Sequence, residues 1–98
     1  MEIRFKDLSL ERLYLDADFT GGHSAAVVTA FRKRVQLIIA APDERAFYAM
    51  KSLHFEKLKG KGRHQHSMRL NLQWRLIMEL EGCAPGKVVV VISIEDYH

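Results

Sequence analysis

The spacing of hydrophobic residues changes from a helical to a strand-like period halfway along the chain. Residues 25–40 carry apolar side chains at helical spacing with charged ones between them, which predicts an amphipathic helix. Ser24 directly before it is suited to capping its N-terminus, and Pro42 stops it. Shorter helices are predicted over residues 7–16 and 43–48.

The second half is predicted to form strands. From Ser67 to Leu80, polar and apolar residues alternate, as half-buried strands require, but the run exceeds the typical strand of about 5 or 6 residues, so a turn is predicted at 71–73. Residues 87–94, mostly β-branched, predict a central strand covered by the long helix, and residues 3–5 a short edge strand. Helices followed by an antiparallel sheet indicate an α+β fold. The alternation assigns Met68, Leu70, Leu72 and Trp74 to the core, and Ser67, Arg69, Asn71, Gln73 and Arg75 to a polar face.

The composition indicates the number of domains in the protein and the cellular compartment in which we expect it. A chain of 98 residues that is 48% hydrophobic fits one domain, residues 1–98, with a single modest core. Its one cysteine, Cys83, cannot form an internal disulfide, and the start of the chain lacks the apolar stretch of a secretory signal. The longest aliphatic run, residues 88–92, is far shorter than the roughly 20 residues that span a bilayer. We therefore expect a cytoplasmic protein without a membrane segment.

The net charge of +3 is mild, but the positive charge is concentrated in one region. Between Lys51 and Arg75 there are seven lysines and arginines against the single acid Glu56, whereas residues 1–50 contain seven of each sign. Such a basic segment suits a polyanion such as RNA, because neutralised phosphates release counterions. A solvated lysine-rich loop is the alternative interpretation.

Several titratable residues are candidates for chemistry. Asp96, Tyr97 and His98 follow the predicted central strand, where a carboxylate can orient a histidine that exchanges protons near neutral pH. A frayed polar chain end is the other interpretation. Arginine forks at Arg69 and Arg75 are suited to gripping a phosphate. His64 and His66 are too few ligands for a structural or catalytic zinc site, so we predict no metal and no cofactor.

Four short segments, in this order and spacing, resemble the HigB toxins, also called plasmid maintenance killer proteins, of the RelE/ParE superfamily. They are Glu56–Gly60 (EKLKG), Ser67–Asn71 (SMRLN), Gln73–Arg75 (QWR) and Asp96–His98 (DYH). The resemblance spans nearly the whole chain. It implies a RelE-like fold of N-terminal helices on a twisted antiparallel sheet. It also implies a ribonuclease that cuts mRNA in the ribosomal A site.

The resemblance further implies partners and site residues. A helix-turn-helix antitoxin of the HigA type would neutralise the protein, and operator DNA would be bound only through that antitoxin. A family histidine precedes the LKG segment: ungapped alignment places Glu56 there, whereas His54 matches by residue type, and we favour His54. The residues implied around the scissile phosphate are Lys59, Arg75, Asp96, Tyr97 and His98, together with His54. Further RNA contacts are predicted at Lys57, Lys61, Arg63, Arg69 and Asn71.

Two other functions remain to be distinguished. A ParE-like relative of the same fold would poison a topoisomerase without cutting RNA, although Lys59 and the segment Asp96–His98 argue against it. A basic RNA-associated or ribosome-binding factor would bind without catalysis. Mapping of RNA cleavage separates these functions.

Overall fold

The helices of the N-terminal half form where the hydrophobic spacing predicts them. The computed structural model describes residues 1–60, 65–82 and 87–96. Its first elements are the strand β1 (Glu2–Phe5) and the helices α1 (Leu8–Leu15), α2 (Ala25–Ala40) and α3 (Arg45–Ala49), followed by a 3₁₀ turn (Lys51–Leu53).

Side-chain caps fix where the first two helices begin. The Asp7 carboxylate accepts a hydrogen bond from the backbone N–H of Leu10 at 3.0 Å, and the Ser24 hydroxyl accepts one from the N–H of Val27 at 3.3 Å. These bonds satisfy N–H groups that have no partner within the first helical turn. The predicted cap at Ser24 is thus confirmed.

The second half forms the remainder of a five-stranded sheet. Its strands are β2 (Glu56–Lys57), β3 (Gln65–Arg69), β4 (Trp74–Glu81) and β5 (Val88–Asp96), and the spatial order is β1-β5-β4-β3-β2. The predicted turn at 71–73 separates β3 from β4, and β5 is an interior strand between β1 and β4, while β4 is the middle strand of the five. All neighbours pair antiparallel except β1, which is an edge strand, as predicted, but runs parallel to β5. The sheet is therefore mixed, whereas the sequence predicted only antiparallel pairs.

The helices pack on one face of the sheet, called here the helix face. On α2, Phe31, Val35 and Ile38 are fully buried, and they belong to the same core as Met68 of β3 and Leu76 of β4. Leu70 joins this core as predicted, whereas Leu72 is 88% exposed because it lies in the turn. Its assignment to the core was wrong.

The other face of the sheet is called here the second face. Two of its polar residues are more deeply buried than the alternation predicts. Ser67 is fully buried and Arg75 is almost fully buried, although both were expected on a solvated polar surface. Ile77 is buried beside them in the same alternating set. Burial of an arginine and a serine requires hydrogen-bonding partners, and these define the candidate site.

Arg32 fixes the connection between α1 and α2. Its guanidinium donates to the backbone carbonyls of Leu13 at 3.0 Å and Asp16 at 2.9 Å, and to that of Phe19 at 3.3 Å. Carbonyls at a helix C-terminus have no partner within the helix, so a cation there is stabilising.

None of the helices in the described part of the chain is long and apolar enough to cross a membrane.

Candidate active site

The guanidinium of Arg75 makes several polar contacts on the second face. Its Nη1 atom donates hydrogen bonds to the Ser67 hydroxyl at 2.9 Å and to the His54 backbone carbonyl at 3.4 Å. The same nitrogen lies 3.3 Å from Oε1 of Glu56 in an ion pair. The side chain of Arg75 is only 8% exposed, whereas that of Glu56 is 53% exposed. The cluster is therefore a buried cation with its anionic neighbour at the surface.

Strand register explains why these residues meet. Glu56 of β2 lies opposite Ser67 of β3, and Arg69 of β3 lies opposite Arg75 of β4. Glu95 of β5 lies opposite Arg75 on its other side. Alternate residues of a strand share a face, so all five residues belong to the second face. The register thus gathers two arginines and two carboxylates at one end of the sheet.

The pairing of Arg69 with Arg75 concentrates positive charge. Like charges directly opposite each other on neighbouring strands are destabilising, so such a pair favours an anion nearby. The backbone of Arg69 is fixed from the helix side, because its carbonyl accepts a hydrogen bond from Nε of Arg34 at 3.0 Å. Burial lowers the pKa of Arg34, which nevertheless stays protonated at neutral pH. The two opposed arginines can therefore hold a phosphate group on a rigid support.

The predicted terminal residue Asp96 lies at the end of β5. It pairs in register with Trp74, whereas Arg75 pairs with Glu95, so alternation assigns Asp96 and Arg75 to opposite faces. The carboxylate of Asp96 is exposed and accepts a hydrogen bond from Nε2 of Gln73 at 3.0 Å. The described chain therefore does not bring Asp96 into the Arg75 cluster. The predicted residues Tyr97 and His98 lie outside the described residues.

The segment before LKG reaches Arg75 in an unexpected way. His54 contributes its backbone carbonyl to the cluster, whereas Glu56 contributes its side chain. Lys59 is exposed beyond β2, and Lys57 is exposed on β2. Because Lys57 adjoins Glu56 in the strand, alternation directs it to the helix face, away from Arg75.

Asn71 has a structural role that the sequence did not predict. Its side-chain oxygen accepts hydrogen bonds from the backbone N–H groups of Gln73 and Trp74, both at 2.8 Å. This arrangement closes the turn between β3 and β4 and so sets the register of Arg69 with Arg75. Lys61 and Arg63, two other predicted RNA contacts, lie outside the described residues.

Nearly the whole chain matches a known protein family. A family model described as the RelE-like toxin HigB of type II toxin–antitoxin systems matches residues 3–98. The chain belongs to the HigB-like toxins. As a type II toxin, it has an antitoxin as its partner.

Solved structures agree with this assignment at the level of the fold. The HigB-like toxin is similar to a YoeB/ParE toxin from Agrobacterium tumefaciens, with a TM-score of 0.63 and 16% identity over 100% of both chains. At this identity the similarity shows a shared fold. No curated protein matches the chain significantly.

Two members of the toxin's Arg75 cluster were missed as site residues by sequence reasoning. The sequence assigned Ser67 to the polar face and to the SMRLN segment, and Glu56 was named as the single acid of the basic segment, as the start of EKLKG and as an alternative to His54. Ser67 lies diagonally across from Arg75, a relation that follows from strand register and not from spacing in the sequence. The signal that was available is the single acid among seven bases, since an isolated carboxylate in a basic segment is a candidate counterion.

His66 belongs to the core side of the toxin. It is buried on β3, and its ring stacks on Phe55 with centroids 5.0 Å apart and planes 8° apart. Among the described residues, no three His, Cys, Asp or Glu side chains are grouped to hold a metal ion. His64 lies outside the described residues.

Proposed function

We propose that this toxin is an endoribonuclease that cuts mRNA in the ribosomal A site and so stops translation. The observation that carries the proposal is the pair of arginines, Arg69 and Arg75, directly opposed on the second face with Arg75 held by Ser67. A phosphodiester is the anion that such a pair is suited to bind, because the planar guanidinium forks match the geometry of phosphate oxygens. Membership of the HigB-like family supports the same function.

The chemistry requires three tasks around the scissile phosphate. A base removes the proton of the RNA 2′-hydroxyl, which then attacks phosphorus; cations stabilise the added charge; and an acid protonates the departing 5′-oxygen. We assign the cationic task to Arg75, Arg69 and Lys59. His98 exchanges protons, and Tyr97 donates to the phosphate or stacks on a base. This chemistry uses side chains alone and needs no metal.

The ribosome supplies the positioning that a small site lacks. Holding the codon in a reactive geometry can contribute a large part of the rate enhancement, so a toxin with few proton-transfer groups can still be an efficient enzyme. We therefore propose that the protein acts in the cytoplasm, on ribosome-bound mRNA, and cuts free RNA poorly. Its partner is proposed to be a HigA-like helix-turn-helix antitoxin, through which alone it is brought to operator DNA.

The test is cleavage of mRNA on programmed ribosomes by the wild-type protein and by a chain shortened by Tyr97 and His98. This deletion leaves every described residue of β5 (Val88–Asp96) in place. Wild-type protein is expected to cut within the A-site codon, and the shortened chain to lose about 10²-fold or more in rate, the scale for losing a general acid or base. Thermal unfolding of both chains checks that the fold is kept.

The results also separate the alternatives. Undiminished cleavage by the shortened, folded chain removes the tail from the mechanism. Ribosome binding without any cleavage by the wild type indicates a non-catalytic binding factor. Inhibition of a topoisomerase with no effect on translation indicates a ParE-like toxin.

A further inference from the structure

The ion pair between Arg75 and Glu56 differs from the two hydrogen bonds that the Nη1 atom of Arg75 donates. A guanidinium Nη1 carries two N–H bonds, and here the nitrogen donates to the Ser67 hydroxyl and the His54 carbonyl. Glu56 approaches the same nitrogen at 3.3 Å as a charged neighbour. The hydroxyl and the carbonyl therefore fix the direction of the guanidinium, while the carboxylate supplies negative charge.

The two neutral acceptors are rigidly placed. Ser67 is fully buried within β3, between strands on both sides. His54 follows the 3₁₀ turn in the left-handed conformation, with φ 47° and ψ 47°, and its N–H is bonded to the carbonyl of Lys51 at 3.1 Å. Few residues other than glycine adopt this conformation, so the surrounding structure holds it. The carbonyl of His54 is consequently aimed at Arg75 by the backbone.

Glu56 is the contact that is free to move. It lies on a two-residue strand at the edge of the sheet, and its side chain is 53% exposed. An exposed carboxylate gains little free energy from one ion pair, because water solvates it well. The buried guanidinium, in contrast, depends on a nearby anion because removing its counter-charge is costly. One anion can therefore replace another at this position, while Ser67 and His54 stay in place.

We propose that Glu56 is an internal stand-in for the RNA phosphate. In the free toxin its carboxylate compensates the charge of Arg75, and it turns into solvent when a phosphate oxygen takes its position at Nη1. This inference rests on the proposed function only in that Arg75 binds a phosphate of RNA. Glu56 then sets the affinity for RNA by competing with it.

Glu56→Gln tests the competition because it keeps the length of the side chain and removes the charge. The probe is a short fluorescent single-stranded RNA with 2′-O-methyl groups, which cannot be cleaved, and its binding is followed by anisotropy at low salt. Glu56→Gln is expected to bind about fivefold more tightly than wild type or better, the lower end of usual coupling between two ligands of one group. Glu56→Asp, which keeps the charge, is expected to bind with near wild-type affinity.

The matched control is Glu2→Gln. Glu2 is about as exposed as Glu56 and forms an ion pair at 3.0 Å with Arg4, which is exposed as well and lies far along the chain from Arg75. This substitution removes the same charge from the whole molecule, so a general electrostatic effect would appear in both variants. The proposal requires the gain in affinity at Glu56 alone. It also requires the gain to disappear in the background of Arg75→Gln, with folding of each variant checked by urea unfolding.

Four results overturn the proposal: unchanged binding by Glu56→Gln, weaker binding, an equal gain in the Glu2→Gln control, or a gain that persists in the background of Arg75→Gln. Weaker binding would make Glu56 a part of the RNA-binding surface. Cleavage on programmed ribosomes is measured separately. If wild type binds the probe as expected but cuts no mRNA, the proposed enzyme function fails while the exchange at Arg75 stands.

Discussion

Arg75 shows how one residue can be both part of the fold and a candidate for chemistry. Its guanidinium is nearly buried, yet its partners include a serine hydroxyl, a backbone carbonyl and a half-exposed carboxylate. A lysine could not reproduce this arrangement, because an ammonium lacks the planar fork and is more strongly hydrated. The strongest constraint on the position comes from Ser67, whose hydroxyl makes the shortest of these contacts at 2.9 Å.

Ser67→Ala is expected to lower both stability and cleavage. It leaves a buried N–H of Arg75 without its acceptor, which costs about 1 to 3 kcal/mol of unfolding free energy. Ser67→Cys, similar in size but a weak acceptor, should be intermediate. The measurement is urea unfolding alongside cleavage on programmed ribosomes, with the rate constant at saturation determined separately from the half-saturating concentration.

Ser93→Ala is the control for this prediction. Ser93 lies in the same register row, opposite Ile77, and its hydroxyl donates to the exposed Glu95 at 2.6 Å. Loss of that exposed bond should change stability by no more than about 0.5 kcal/mol. A stability loss at Ser93 as large as that at Ser67 would show that the second face responds to any lost hydroxyl, with no special role for Arg75.

At the scale of elements, the caps of the helices make testable contributions that depend on pH. The carboxylate of Asp7 accepts hydrogen bonds from the Ser9 hydroxyl at 2.6 Å and from the Leu10 N–H, and these bonds hold its pKa below the ordinary value of 3.8. A pKa that is lower in the folded than in the unfolded protein stabilises the fold above the unfolded value. That contribution is lost as pH falls through the folded pKa.

Asp7→Ala should therefore destabilise the toxin by about 1 kcal/mol at neutral pH, the usual cost of losing an N-cap. The difference from wild type should shrink as pH falls below the ordinary value of 3.8, because the protonated carboxyl is a poorer cap. Urea unfolding at a series of pH values measures both effects. The control is Asp18→Ala, which removes an exposed carboxylate outside the cap and should change stability at neutral pH by no more than about 0.5 kcal/mol. A pH-independent difference for Asp7→Ala would contradict the prediction.

The elements also show what the sequence could and could not predict. The α2 helix, its Ser24 cap and the turn at 71–73 follow from local signals: periodicity, a capping residue and an interrupted alternation. The strand β2 could not be predicted, because two residues in a lysine-rich segment show no alternation. Likewise the burial of Ser67 and Arg75 depends on which strands lie beside them. The sequence therefore predicted the candidate arginines, while their partners required the register.

At the scale of the whole molecule, the uneven charge and the toxin family give a prediction for living cells. Expression without an antitoxin is expected to arrest growth, because the basic segment and the Arg75 cluster would be free to engage translating ribosomes. Incorporation of labelled amino acids should fall before growth stops. The matched variant is Arg75→Lys, which should reduce toxicity at equal levels of folded protein. Normal translation at high levels of folded wild-type protein would count against a toxin that acts on the ribosome.

The parallel pairing of β1 with β5 affects when the toxin can complete its fold during its own synthesis. Ile3 pairs with Val89, almost the whole described chain away, and β5 is also the neighbour of β4. Contacts between such distant positions form late and slow the folding of a domain. While residues 88–96 are still inside the exit tunnel of the ribosome, β1 has no partner and β4 has an open edge. The nascent chain is therefore expected to stay inactive toward the ribosome that is making it, and to be most exposed to proteases during that interval.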